Sequence, residues 1–329
     1  MHVLVTGAAG MIGQKLVRRI VGEPHIFGQA VSRLTVHDIV RPQAPETTGF
    51  AVETIAGDLA DAADASKTIA GRPDLVFHLA AVVSGEAEAD FEKGYAANFD
   101  GTRNLLEAIR TAGDEYQPRF VFSSSIAVFG APFPRQIPDD FFCTPLTSYG
   151  TQKAAGELLL SDYTRRGILD GIGIRLPTIC VRPGAPNKAA SGFFSNIIRE
   201  PLAGKEAVLP VDASVRHWFA SPRSAVGFLV HGATLDTERV GPRRNLTMPG
   251  VSATVAEQIE ALRAVGGDEA VALIRRERDP QIERMVDGWA RDFAPERALS
   301  LGFTSDRSFE EIVRVHVDDE LGGEIGPPT

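Results

Sequence analysis

The first thirteen residues confine this chain to a narrow set of folds. Residues 3–6 form a short apolar run, Gly7-Ala-Ala-Gly10-Met-Ile-Gly13 follows, and Ile12, Leu16, Val17 and Ile20 then recur at helical spacing. A strand that turns through glycines directly into a helix brings backbone close to a pyrophosphate. The helix N-terminus then offers free N–H groups and a partial positive charge to the anion. Gly7, Gly10, Met11, Ile12 and Gly13 are the expected contacts. Their spacing is G-x-x-G-x-x-G rather than the G-x-G-x-x-G of ordinary dehydrogenases. A glycine-rich turn without a ligand is the competing account.

Strand and helix patterns keep alternating after that turn. Strands are predicted at residues 34–37, 51–55, 75–79, from 120 to at least 122, and 173–181, with helices at 91–112 and 149–166. This βαβ alternation calls for an α/β fold with a parallel, doubly wound sheet of Rossmann type. Regularity ends at Arg182-Pro183-Gly184. Beyond it, proline and glycine separate shorter elements at 192–199, 222–234, 245–248, 255–265 and 308–317. Residues 1–182 therefore read as a nucleotide-binding domain, to which segments near 222–250 return. Residues 183–329 read mainly as a smaller, mixed α/β substrate-binding unit.

Composition excludes several classes of function. The formal charge of −9 argues against nucleic acid, which needs a basic face. No apolar run approaches the ~20 residues of a membrane span. The chain enters its first strand without the regions of a signal peptide. Two cysteines, Cys143 and Cys180, make neither a disulfide framework nor a zinc site, so a reduced cytoplasm is expected. His2, His25, His37, His231 and His316 lack metal-ligand spacing, and His78 reads as a packed core residue. No metal is expected, and residues 322–329 read as a disordered tail.

Several polar residues fall where a dinucleotide would need them. Asp38 ends the second strand, where a carboxylate accepts from ribose hydroxyls and repels a 2′-phosphate, favouring NAD over NADP. Arg41 nearby is the contrary signal, as a partner for that phosphate or a solvated loop cation. Asp58, ahead of Leu59, meets either the adenine amino group or the backbone of a helix start near Ala60. Leu79-Ala80-Ala81 leaves room for cofactor or packs sheet against helix. Tyr149 and Lys153, four residues apart, share one helix face. An ammonium beside a phenol favours the phenolate, which suits Tyr149 to a base. Ser123-Ser124-Ser125 ends a strand, and its hydroxyls serve either a reacting oxygen or the backbone.

Together these segments resemble the extended branch of the short-chain dehydrogenase/reductase superfamily. The matching text runs through Thr6–Gly13, Asp38, Asp58-Leu59, His78–Ala81, Asn98–Ala108, Phe122–Gly130 and Tyr149–Lys153, in order, over nearly the whole first half. Leu246–Gly250, Ala294–Arg297 and Leu301-Gly-Phe303 are similar to its C-terminal portion. The resemblance implies that Tyr149 is the general acid/base, that Lys153 lowers its pKa and binds the nicotinamide ribose, and that Ser125 holds the reacting oxygen. It places Ser124 and Asn98 near NAD, and implies a homodimer joined through the helices containing Tyr149 and Asn98.

Most extended members act on nucleotide-diphosphate sugars and carry an R-D-F-I-x-V-D-D-like run. Here that run is Arg216-His-Trp-Phe-Ala-Ser-Pro-Arg223, with both final acidic positions replaced. Residues 175–184, 216–222 and 247–251 are instead similar to the D-erythronate dehydrogenase branch, which oxidises C2 of a four-carbon sugar acid with NAD. The expected activity is thus NAD-dependent oxidation of a sugar acid, and the alternative is a nucleotide-diphosphate-sugar epimerase or dehydratase. On the first reading Arg216 forks onto the carboxylate, unless it makes only an ion pair. Ser84 and Thr178 are candidates for the remaining hydroxyls.

Overall fold

A computed structural model describes residues 1–46, 49–113, 115–184 and 191–324. The main strands are β1 (His2–Thr6), β2 (Arg33–Asp38), β3 (Ala51–Ala56), β4 (Leu75–His78), β5 (Arg119–Ser125) and β6 (Asp170–Leu176). They are followed by β7 (Thr178–Ile179), β8 (Arg216–Ala220), β9 (Asn245–Thr247) and β10 (Val251–Thr254). The main helices are α1 (Met11–Gly22), α2 (Ala62–Ile69), α3 (Gly101–Thr111) and α4 (Ser148–Arg165). Later come α5 (Gly192–Leu202), α6 (Pro222–Thr234), α7 (Val255–Ala272) and α8 (Phe309–Glu320).

Seven strands form one sheet in the order β9-β6-β5-β4-β1-β2-β3. Every pairing in it is parallel. This is the doubly wound Rossmann-type architecture. Strand order reverses between β1 and β4, so a crevice opens beyond their carboxyl ends. Leu4, Val5, Phe77, Val121 and Ile172 are wholly buried, because helices cover both faces of the sheet. A second apolar cluster joins Phe194, Ile197, Phe219, Ile259 and Ile312 beneath β8, α5, α7 and α8.

Two departures from the expected elements matter for the site. The predicted strand at 173–181 is divided: β6 ends at Leu176, and β7 leaves to pair Thr178 with Phe219 of β8. Pro177 lies at this break and has no N–H to give a ladder. The predicted helix at 91–112 is three pieces, Phe91–Tyr95, a π-helical turn Ala96–Asp100, and α3. The other expected elements are present, with α6 opening on Pro222 behind the Ser221 cap, and α2 and β10 are additional to them. The helix expected at 255–265 continues to Ala272 across a break at Gly267, whose φ is 76°. Of the expected disordered tail, residues 325–329 lie outside the described residues, and Gly322 and Gly323 follow α8 as turn residues.

Candidate active site

One cleft of about 1020 Å³ runs along the carboxyl ends of β1, β4, β5 and β6. Its nucleotide end is lined by Gly7, Gly10, Met11, Ile12 and Gly13. Gly7 has a φ of +73°, and a Cβ there would stand 2.6 Å from the Ala80 backbone nitrogen. A Cβ at Gly13 would stand 2.1 Å from the Gly7 carbonyl oxygen. Neither position tolerates a side chain. Gly10 caps α1 without any side-chain hydrogen bond, and the first turn carries no acid. The cradle is therefore open and complementary to a dinucleotide pyrophosphate.

Other nucleotide candidates divide between this rim and its supports. Asp38 Oδ2 accepts from the Ala9 N–H at 2.9 Å, which brings its carboxylate beside the glycine turn. Arg41 is exposed and donates to Thr54 Oγ1 at 3.1 Å. Asp58 Oδ1 accepts from the Ala60 N–H, while the α2 cap is Asp61. Leu59 is buried, and Ala80 lies behind Gly7 rather than on the cleft wall. Asn98 is wholly buried and also faces away. Its Oδ1 accepts from Val82 N–H at 2.8 Å, and its Nδ2 donates to Val82 O at 3.2 Å and Gln152 Oε1 at 2.8 Å. Asn98 thus holds the loop after β4, and Val82 lines the cleft in its place.

Tyr149, Lys153, Ser124 and Ser125 converge at the middle of the cleft. Thr147 caps α4, accepting from the Gly150 N–H at 3.1 Å, and so starts the helix one residue before Tyr149. Desolvation holds the Tyr149 phenol above its ordinary value, only partly opposed by the charge of Arg182 and a hydrogen bond with Ser125, so the lowering expected from Lys153 is not what sets it. Lys153 is 2% exposed, donates to Ser123 O at 2.8 Å, and lies 5.7 Å from the Tyr149 ring centre. Burial pulls its ammonium down to about 8, against the opposing charge of Glu157. Ser124 Oγ donates to Glu157 Oε1 at 2.5 Å. Ser123 Oγ donates to His78 O. Ser125 Oγ accepts from Ala127 N–H. His78 lies outside the chemistry, hydrogen-bonded between Thr6 and Thr102 and driven down to about 3 by burial.

The substrate end corrects one expectation. Arg216 is not on the cleft wall: it donates to Ser252 O at 3.0 Å and pairs with Glu257 at 3.2 Å. Its neighbour His217 does line the cleft, because successive side chains of β8 point to opposite faces. The cations on that wall are Arg199, which pairs with Glu200, and Arg182, which stands where the regular pattern ends. Arg182 donates to Ile179 O at 3.1 Å and Ser191 Oγ at 3.3 Å. Among the described residues no Asp or Glu pairs with it. Arg199 donates to the Arg182 carbonyl at 2.7 Å and steadies the turn. Ser84 and Thr178 are on the wall, as is Trp289, which packs 5.3 Å from His217. The signal for Arg182 was its place at the end of a strand, where ligands of open α/β sheets gather. Trp289 had no such signal.

Open glycine cradle, acidic residue beside it, and Tyr, Lys and Ser converging at the sheet's switch point describe a dinucleotide-dependent oxidoreductase. The chain belongs to the NAD dependent epimerase/dehydratase family, which it matches over residues 3–220, and NAD is its cofactor. It is 48% identical to the D-erythronate dehydrogenase of Cupriavidus necator, over 97% of this chain and 98% of the relative. It is 38% identical to the D-erythronate dehydrogenase of Haemophilus influenzae, over 98% and 100% of the two chains. A solved structure from Agrobacterium tumefaciens, described as a nucleoside-diphosphate-sugar epimerase, is 63% identical with a TM-score of 0.97. That likeness covers 99% of this chain and 96% of the other. No helix among the described residues is long and apolar enough to cross a membrane.

Proposed function

We propose that this enzyme oxidises the C2 hydroxyl of D-erythronate, giving 2-dehydro-D-erythronate. The observation that carries this reading is Arg182, a half-buried guanidinium on the cleft wall with no acidic partner among the described residues. A desolvated cation in that position calls for an anion, and its planar fork matches a carboxylate. In the sequence, residues 185–190 include no Asp or Glu. Arg182 also bears on the Tyr149 phenol, which puts the captured acid next to the base. A 2-hydroxy acid has its carbinol one bond from its carboxylate, so one substrate reaches both groups.

In the reaction Tyr149 takes the C2 hydroxyl proton while Ser125 hydrogen-bonds the same oxygen. Lys153 supplies positive charge below Tyr149 and an N–H toward the nicotinamide ribose. Gly7, Gly10, Met11, Ile12 and Gly13 receive the pyrophosphate, and Asp38 receives the adenosine ribose. NAD supplies the acceptor for the C2 hydride. Residues 183–329 act mainly as the substrate-covering unit.

The test is Arg182→Ala against Arg216→Ala. Loss of a charge-assisted fork at Arg182 raises the KM for D-erythronate by about one to three orders of magnitude. Arg182→Lys restores only part of it. Removing Arg216, a half-buried ion-pair residue off the cleft wall, shifts KM less than about threefold. The neutral sugar alcohol is a poor substrate in every variant and indifferent to Arg182. Equal losses for acid and alcohol would remove the clamp.

A further inference from the structure

Thr178 and His217 form a hydrogen-bonded relay in the wall of the cleft. His217 Nδ1 lies 2.8 Å from the Ala290 carbonyl oxygen, which only accepts, so Nδ1 carries a proton. Burial drives the imidazole down to about 4 and keeps it neutral. The ring is held flat against Phe194, at 5.4 Å between centres and 5° between planes. Nε2 is therefore a lone pair, and the Thr178 hydroxyl 2.6 Å away donates to it. With its one proton committed, Thr178 Oγ1 keeps only lone pairs for whatever the cleft receives.

We propose that His217 is a positioning residue for substrate choice: by holding the Thr178 proton it makes Thr178 Oγ1 an obligate acceptor, so the site selects a second substrate hydroxyl, besides the one oxidised, that donates there. This rests on the sugar-acid reading and adds its second polar demand. A carboxylate facing those lone pairs is repelled and goes to Arg182 instead. A hydroxy acid with no hydroxyl beyond C2 satisfies Arg182 but offers the Thr178 lone pairs no donor, at the cost of the hydrogen bond lost.

The experiment compares kcat/KM for D-erythronate, its 3-deoxy and 4-deoxy forms, and the matching deoxyfluoro forms. Fluorine accepts weakly and cannot donate. The enzymes are wild type, Thr178→Val and His217→Phe, the last retaining an aromatic ring against Phe194. Wild type disfavours one of the two deoxy forms by about 10- to 100-fold. Thr178→Val narrows that preference to about threefold, near the value of no specific hydrogen bond. His217→Phe frees the Thr178 proton to turn toward the cleft, so the matching fluoro compound recovers about tenfold relative to D-erythronate. Fluorine's intrinsic effect on hydride loss is the same in each enzyme and cancels. A nitrogen-15 spectrum of His217 in the NAD-bound enzyme shows protonated Nδ1 and unprotonated Nε2, and decides the matter if His217→Phe does not fold. A proton on Nε2, an unchanged preference in Thr178→Val, or a uniform loss across all substrates in His217→Phe overturns the proposal. A wild type that oxidises no sugar acid overturns the function reading and this inference together.

Discussion

Arg216 and His217 are adjacent, and the strand sends one outward to Glu257 and the other inward to Thr178. An arginine read from a motif was on the right strand and the wrong face. Tyr149 carries a sharper claim at the same scale. Tyr149→Phe keeps the ring and removes only the group that moves a proton. kcat should therefore fall by about two to four orders of magnitude, with NAD affinity nearly unchanged. Titration of NAD with each protein, beside initial rates, measures both quantities. Turnover near that of wild type would take the base role away from Tyr149. The Tyr149–Lys153 pair was legible because helical spacing alone puts residues four apart on one face. Arg182 as the balancing charge was not, since it comes from a turn 33 residues after Tyr149.

Helix α4 holds Tyr149 and Lys153 in place through a buried pair below them. Glu157, one turn after Lys153, receives Arg175 of β6 in a fork, Nε at 2.8 Å and Nη2 at 2.7 Å. Ser124 of β5 donates to the same carboxylate. The pair thus locks α4 to the two strands whose ends build the site. Side-chain exposure is only 10% for Arg175 and 4% for Glu157. Removing one partner leaves a buried charge alone, so Glu157→Ala should lose about 3–5 kcal/mol of stability, and Glu157→Gln, which keeps an acceptor, less. Urea unfolding of the three proteins checks this, and equal midpoints would show that the pair anchors nothing. Apolar patterning located α4, β5 and β6, whereas Glu157 looked like any helix glutamate. Pairing across three elements has no period in the sequence.

The whole molecule stores an electrostatic penalty at Lys153. Burial pulls its ammonium down to about 8 in the fold, from the 10.5 of an unperturbed lysine. Between those values the unfolded chain holds more protons, so wild-type stability rises with pH across that window. In Lys153→Met the penalty is gone. Its melting temperature relative to wild type should be most favourable below about pH 8 and should lose ground towards 10.5, although turnover collapses. A relative advantage that grows over the same window would contradict the buried-cation account.

The parallel, doubly wound sheet and the glycine cradle were readable at this largest scale. Each follows from local strand–turn–helix patterning. Of the substrate wall, Ser84 and Thr178 were legible, whereas Arg182, His217 and Trp289 were not, because they reach it from separate turns and strands. The central claim is net oxidation of a free sugar acid, and NADH absorbance tests it most directly. Wild-type enzyme with NAD should accumulate NADH with D-erythronate and none with UDP-sugars. No NADH from any sugar acid, together with conversion of a UDP-sugar to its epimer without net NADH, would contradict it.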